Sequence, residues 1–491
     1  MLIACIAMII LFSPIVYVIS KYIKSKGGYV ASIPIWITLL YLLSLGGELI
    51  RNHSVFEYFK WIETDYIRVS LGFLLDGVSY AIALIILFVT ALAAIYSVTY
   101  LEHEEGHEAY YAYYMLYVAG MLGAVTSTDL IQFFFFWELM LVPSYLLIAG
   151  WGYGDRRRVA YKYFLYTQLG SILILLGILY VGSLIGSFEF KDLVLVRSYV
   201  GSRELLLLLT AFVAGFGVKM AIVPLHGWLP EAHAEAPTPI SVILSGVMIE
   251  IGLYALIRIV LPITSSKWNT CTGTTILMTL ALISMLYGGL MALTQNDVKR
   301  LLAYSSISQM GYMFFGVAAA TQTGIEGSIF HIFNHGLLKG LLFMVAGVLI
   351  HQVGIRDMRK LGGLATKMPI TASLAVVGAM GIAGLPGISS FISEFLIFLG
   401  GYESVSPYKY LLLAFAVLST GISAAYMTYF IRRVFFGPLN EALKDAKDPP
   451  LPMLIPMFIL AVTAVILGIY PSLLLKYVIP GLEFVKEVLN P

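Results

Sequence analysis

The stretch GFGVKMAIVPLHGWLP, Gly215 to Pro230, decides how the chain is read. It lies in a long apolar run, yet it holds Lys219, then Pro224, then His226. Charge at bilayer depth is costly. Proline removes a backbone hydrogen bond that an intact helix needs. The stretch therefore reads as a membrane helix opened midway, beside a titratable lysine.

The rest of the chain supports a membrane setting. Its 491 residues are 59% hydrophobic and 12% charged, and the mean hydropathy is +0.89. Soluble domains carry roughly 25% charged residues. Runs of about 20 apolar residues, each long enough to cross a bilayer, recur throughout. The alternation of outer-membrane barrels is absent, so the backbone must be satisfied within helices. Fourteen segments can be counted, near 2–20, 29–50, 71–100, 110–128, 130–150, 159–185, 203–229, 240–262, 273–294, 301–321, 326–351, 369–400, 408–431 and 451–474. The fold class is thus an all-α polytopic membrane protein with about 14 transmembrane helices.

Other features exclude or orient. A net charge of +2 with no basic tract argues against nucleic acid as a partner. Cys5 and Cys271 have neither metal-ligand spacing nor a disulfide framework. Residues 2–20 lack a basic n-region and a cleavage site, and read as a retained first helix. The connection 51–70 reads as a surface hairpin or an interfacial helix. Loops after odd-numbered segments hold most of the Lys and Arg, including Arg156 to Arg158, Lys299, Arg300, Arg356, Arg359, Arg432 and Arg433. That bias places both termini outside the cell membrane of a prokaryote. Lys162 and Arg258 lie near segment ends and can snorkel. His103 and His107, in LEHEEGHEAY, read as solvated.

Ionisable residues inside the segments are functional candidates by default. They are Glu138, Lys219, His226, Glu250, His331, His335, Lys339 and Glu394. They spread over at least five helices. One reading is static ion pairs that lock helices together. The other is a proton relay, for which Glu, Lys and His are the usual material. A desolvated lysine loses proton affinity and a nearby carboxylate restores it. Glu138 beside Lys219 would form such a switch, with titration shared by the pair. His331, His335 and Lys339 stand four residues apart on one helical face. That stripe fits a relay or structural hydrogen bonding better than a metal or haem site, since the Glu of a zincin motif is missing.

A second break falls at Leu385-Pro386-Gly387, near Glu394. The breaks lie in segments seven and twelve. Interrupted helices at matching places in two halves point to inverted repeats. The expected units are helices 1–3 over 1–109, a first five-helix unit over 110–262, a second over 273–437, and a last helix within 451–491.

Four motifs carry a family resemblance: FFFFWELMLVPSYLLI, VKMAIVPLHGWLPEAHAEAP, NDVKRLLAYSSISQMGYM and LPGISSFISEF. The chain resembles the antiporter-like proton-translocating subunits of respiratory complex I, above all the M-type. The same family holds the D-type component of Mrp sodium/proton antiporters and the antiporter-like subunit of membrane-bound hydrogenases. The resemblance runs from about Leu75 to Arg433. It implies two inverted five-helix units with helices seven and twelve broken. It implies Glu138 and Lys219 as paired acid and base, and Glu394 as the terminal protonatable group of the second unit. It implies that His226, His331, His335 and Lys339 follow a hydrated central axis. It also implies no cofactor in this chain, partner membrane subunits, and protons or sodium as the moving ions. One departure stands out. Glu250, in SGVMIEIG, occupies the place of a lysine found in many members. Lys339 is the residue expected to supply the missing cation.

Overall fold

Residues 2–64, 68–268 and 271–482 are described by the computed structural model. Residues 483–491 of the expected last unit lie outside them. The chain is helical in all fourteen expected segments. Among the described residues, nine helical stretches are both long and apolar enough to cross a bilayer. One of the nine, Leu2–Asn52, contains the helices Leu2–Ile23 and Gly27–Ser44. Large apolar side chains face outward, such as Leu165, Leu169, Ile172, Leu176 and Leu179 along Arg156–Ile185. This is the pattern of a lipid-facing surface.

The connection after the second segment is a hairpin, not a helix. Strand Ser54–Glu63 pairs antiparallel with Arg68–Asp76, with Ser54 opposite Asp76. The third segment therefore starts as strand at residue 71 and becomes helical only at Gly77. Asp76 is the reason. Its side chain accepts from Ser79 N–H while Ser79 Oγ accepts from Asp76 N–H, a capping box that fixes the helix start.

The 32-residue helix Gln322–Val353 forms the centre and is buried over most of its length. At about 1.5 Å per residue it is longer than a bilayer core needs. It packs on Gly77–Tyr100, Val298–Ala318, Ser389–Glu403 and Leu451–Ile469. Its crossing with helix Thr238–Thr264 is close because both sides are glycine. A Cβ on Gly336 would lie 2.7 Å from Gly246 O, and one on Gly246 would lie 3.2 Å from Gly336 O.

Two loops show one register used twice. Asp129 bridges Glu189, and Asp297 bridges Asp357. Leu130 N–H donates to Phe188 O and Phe190 N–H to Thr128 O, both at 2.8 Å. In the later loop Val298 N–H donates to Arg356 O at 3.0 Å and Met358 N–H to Asn296 O at 2.8 Å. Each first aspartate caps the helix that follows it. The match extends inward. Trp137 Nε1 donates to Ser171 Oγ at 3.0 Å across 34 residues, and Lys339 Nζ donates to Ser305 Oγ across the same 34.

Candidate functional site

The first break is built by the backbone. Helix Ser202–Met220 ends where Ala221 turns left-handed at φ 54°, and helix resumes only at Leu229. In lipid the freed groups must be satisfied internally. Ala221 N–H reaches Val218 O, Ile222 N–H reaches Gly217 O, and Trp228 Nε1 also donates to Val218 O. Val223 N–H finds Ser284 Oγ at 3.0 Å. The second break separates Pro369–Ile382 from Ser389–Glu403, and Asn334 Nδ2 donates to Ser389 O at 3.0 Å.

Lys219 is in the last turn before the first break, 2% exposed. Its ammonium has no hydrogen-bond partner. It lies over the Trp137 ring, 5.2 Å from the centroid. Trp137 is itself held by the bond to Ser171 and by Phe216, whose ring is 5.6 Å away. Glu138 is the next residue; among the described residues it makes no ion pair with Lys219, and its Oε1 is buried and unpartnered. The acid and base expected from the sequence make no hydrogen bond to each other; Lys219 lies over the ring of the residue that precedes Glu138.

Glu250 is completely buried. Its Oε1 lies 2.5 Å from His335 Nδ1. The two groups share one hydrogen bond, whichever of them owns the proton. Glu250 Oε2 and His335 Nε2 have no protein partner. Lys339, the residue expected to supply the missing cation, is not the partner of Glu250. Lys339 Nζ points away, donating to Leu302 O at 3.0 Å and to Ser305 Oγ. One helical turn separates Lys339 from His335, so they face different neighbours. Helix Glu250–Ala255 also abuts the Lys219 helix, since a Cβ on Gly252 would lie 2.7 Å from Met220 Cγ.

The chain of groups continues along Gln322–Val353. The His335 and His331 rings stack with centroids 6.4 Å apart. His331 shares hydrogen bonds with Ser393 Oγ at 2.8 Å and Gln309 Oε1 at 2.7 Å. Ser393 precedes Glu394, which is 5% exposed beside the second break. Gly384 keeps that place open, since a Cβ there would lie 2.6 Å from Glu394 Oε2. His226 is half-buried in the first break, its ring 4.8 Å from that of Tyr287. It lies apart from the Glu250 to Glu394 line.

Several other sequence expectations are corrected. Arg258 does not snorkel. It pairs with Asp76, both of them buried, and so ties the hairpin end to the helix that carries Glu250. Lys162, by contrast, keeps a partly exposed side chain, 2.8 Å from the partly exposed Glu231, which the snorkelling expectation allows. His107 is buried, with Nε2 2.8 Å from Leu101 O, whereas His103 is exposed. Lys299 is a fully buried lysine, not a loop charge, and donates to Ala236 O at 2.5 Å. His233 escapes the sequence reading. It is fully buried, neither ring nitrogen has a partner, and it stacks on Phe343 at 5.2 Å. Its place in LPEAHAEAP, just after the break, is the available signal. Gln309 and Ser393 escape it too, because uncharged polar residues do not stand out in a membrane sequence.

With this geometry in hand, comparison with known proteins places the chain. The family described as NADH:quinone oxidoreductase/Mrp antiporter, TM, matches residues 127–423. Residues 61–111 match the N-terminal family of complex I chain 5. NADH-quinone oxidoreductase subunit M of Pseudomonas aeruginosa is 35% identical over 76% of this chain and 74% of its own. F(420)H(2) dehydrogenase subunit M of Methanosarcina mazei is 33% identical over 75% of each. Among solved structures, a chain of respiratory complex I from Thermus thermophilus is 26% identical, with a TM-score of 0.88 and all of both chains covered. The Mrp complex from Dietzia sp. gives 25% and 0.88, covering all of this chain and 52% of that one. The archaeal membrane-bound sulfane sulfur reductase gives 29% and 0.83 over 94% of this chain and 75% of that one. The chain is therefore a multi-pass membrane protein of the NADH:quinone oxidoreductase/Mrp antiporter transmembrane family.

Proposed function

We propose that this chain is the ion-translocating membrane subunit of a multi-subunit, complex-I-like respiratory assembly, with no redox centre of its own. Electron transfer in partner subunits drives its ion movement. Its relatives carry subunit names from NADH-quinone oxidoreductase and F(420)H(2) dehydrogenase. The observation that carries the reading is the buried contact between Glu250 and His335. It joins the helix packed on the Lys219 break to the helix that runs toward Glu394.

In this reading Lys219 is the central carrier. Its ammonium is held by the Trp137 face and by the field of Glu138, with no fixed acceptor. Moving the Glu138 charge relative to Lys219 switches whether the amine keeps its proton. The Glu250–His335 pair passes a proton between the two units, because a short shared contact lets either group hold it. His331, with Ser393 and Gln309, continues to Glu394, the terminal group. The 6.4 Å between the histidine rings requires a bridging water. Lys339, bound to Ser305, sets the charge next to this line, and His226 serves the first break.

The doubled Asp129–Glu189 and Asp297–Asp357 register supports the division into units at 110–262 and 273–437. An odd number of helices per unit inverts the second relative to the first. The Lys and Arg bias supports a prokaryotic cell membrane with both termini outside.

A second reading is a cation/proton antiporter component without redox partners, favoured by the match of all of this chain to 52% of a chain of the Mrp complex. Purification with native partners separates the two. The first reading expects iron–sulfur subunits, and proton or sodium uptake into vesicles on addition of an electron donor. Small membrane subunits alone, with exchange driven only by an imposed gradient, select the second. Absence of both uptake and exchange overturns both.

A further inference from the structure

Three arginines converge where the Lys409–Val434 helix leaves the apolar layer. Arg432 and Arg433 end that helix, and Arg359 comes from the loop after Gln322–Val353. Together with Tyr429 and Phe436 they line a cavity of about 410 Å³. The floor is rigid. Ala365 N–H donates to Phe435 O at 2.9 Å, and Asn440 Nδ2 donates to Lys360 O at 2.8 Å. Arg359 is already neutralised by Asp357 at 2.8 Å. Among the described residues Arg432 and Arg433 have no carboxylate partner. The cavity therefore carries uncompensated positive charge.

Its position says which anion fits. Within a wider exposed face that also holds Tyr410, Ala414, Val417 and Gly421, the same helix exposes Leu411, Phe415, Leu418, Ala425, Thr428 and Arg432. That spacing is a single stripe along one helical face. It is apolar for most of its length and ends at the arginine. Phe436, 49% exposed, is among the lining residues, and aromatic side chains are favoured at membrane–water interfaces. A ligand that matches both parts has an apolar tail and an anionic head.

We propose that this cavity binds the phosphodiester headgroup of an anionic phospholipid, whose acyl chain lies along the Leu411 to Thr428 stripe. Guanidinium groups suit the head because they pair bidentately with phosphate oxygens. Basic pockets between membrane helices are known takers of such headgroups. The site is remote from the buried line of Glu, Lys and His, and its role is to seat the subunit in anionic lipid. It does not depend on the direction or identity of the transported ion.

The test uses the assembled complex in vesicles of phosphatidylcholine with about one-fifth phosphatidylglycerol bearing a photo-crosslinker. Peptides carrying the adduct are mapped by mass spectrometry. Crosslinks on residues 429–438 are expected, falling at least about tenfold in Arg432→Gln/Arg433→Gln. Arg432→Lys/Arg433→Lys should restore them in part, and crosslinks elsewhere in the complex report intact assembly. Equal labelling of the glutamine variant overturns the proposal. So does equal labelling by a phosphatidylcholine probe. Full displacement by inorganic phosphate would make this a free-anion site and also overturns it. Absence of adducts in the complex, with strong adducts on the isolated chain, would show a partner subunit covering the stripe and overturns it too.

Discussion

Replacing Glu250 by glutamine probes the joint between the two units. Glutamine keeps the shape and can still hydrogen-bond to His335, but it cannot carry a proton. The contact is 2.5 Å long and both side chains are fully buried. Charge-assisted hydrogen bonds contribute about 1.5–3 kcal/mol, roughly twice a neutral one. Since glutamine cannot take the proton in turn, uptake through the pair should fall by at least that full term, about 10- to 150-fold at 1.36 kcal/mol per factor of ten. The fold should lose less, about 1 kcal/mol, because a neutral hydrogen bond replaces the charged one. The assay is ion uptake into vesicles containing the purified complex, with proton and sodium followed separately and electron transfer measured alongside. Glu250→Lys should be worse than Glu250→Gln, since a fully buried ammonium would stand against the imidazole of His335 with no carboxylate to offset it. If Glu250→Gln and His335→Asn both leave proton and sodium uptake unchanged, the pair is a structural tie and the joint is misassigned.

Three further outcomes are expected. Stepwise fluorination of Trp137 should lower uptake progressively, by about 2- to 30-fold in total, because the cation–π term over Lys219 amounts to about 0.5–2 kcal/mol; no trend with fluorination would show that the ring only fills space. Asp76→Asn keeps the helix cap but strands buried Arg258, so it should destabilise the chain by about 3–5 kcal/mol, read as a fall in unfolding temperature, while Asp76→Asn with Arg258→Met should recover part of the loss. Arg359 beside Asp357 holds that carboxyl down at about 2; a depressed carboxylate contributes above its ordinary value of 3.8 and is lost as pH falls toward about 2, so hydrogen exchange in the 357–360 turn, corrected for intrinsic rates, should be flat from about pH 5 to 8.

The sequence discloses what each helix carries better than what each helix meets. Pro224 and Leu385-Pro386-Gly387 announce both breaks, since proline and glycine act on their own backbone. Asp129 and Asp297 announce nothing, although they carry the doubled register, because a capping aspartate looks like any loop residue. Partners distant in sequence stay hidden. Arg258 finds Asp76 from 182 residues away and His335 finds Glu250 from 85 away. Helical spacing places His331, His335 and Lys339 on one stripe, but a few tens of degrees of rotation decide which neighbour each one faces. So spacing alone does not say that His335, rather than Lys339, meets Glu250. Lys299 misleads for a related reason. It follows the capping Asp297 and looks like a loop cation, yet the loop pairs with Arg356 to Met358 and turns the side chain inward.

The central claim is that Lys219 carries the transported proton. Lys219→Ala in the complex, assembled with all its partners and reconstituted in sealed vesicles, tests it by the number of protons taken up per electron transferred. The account predicts normal assembly and a fall in that ratio by the share of this subunit. An unchanged ratio at normal assembly would contradict it.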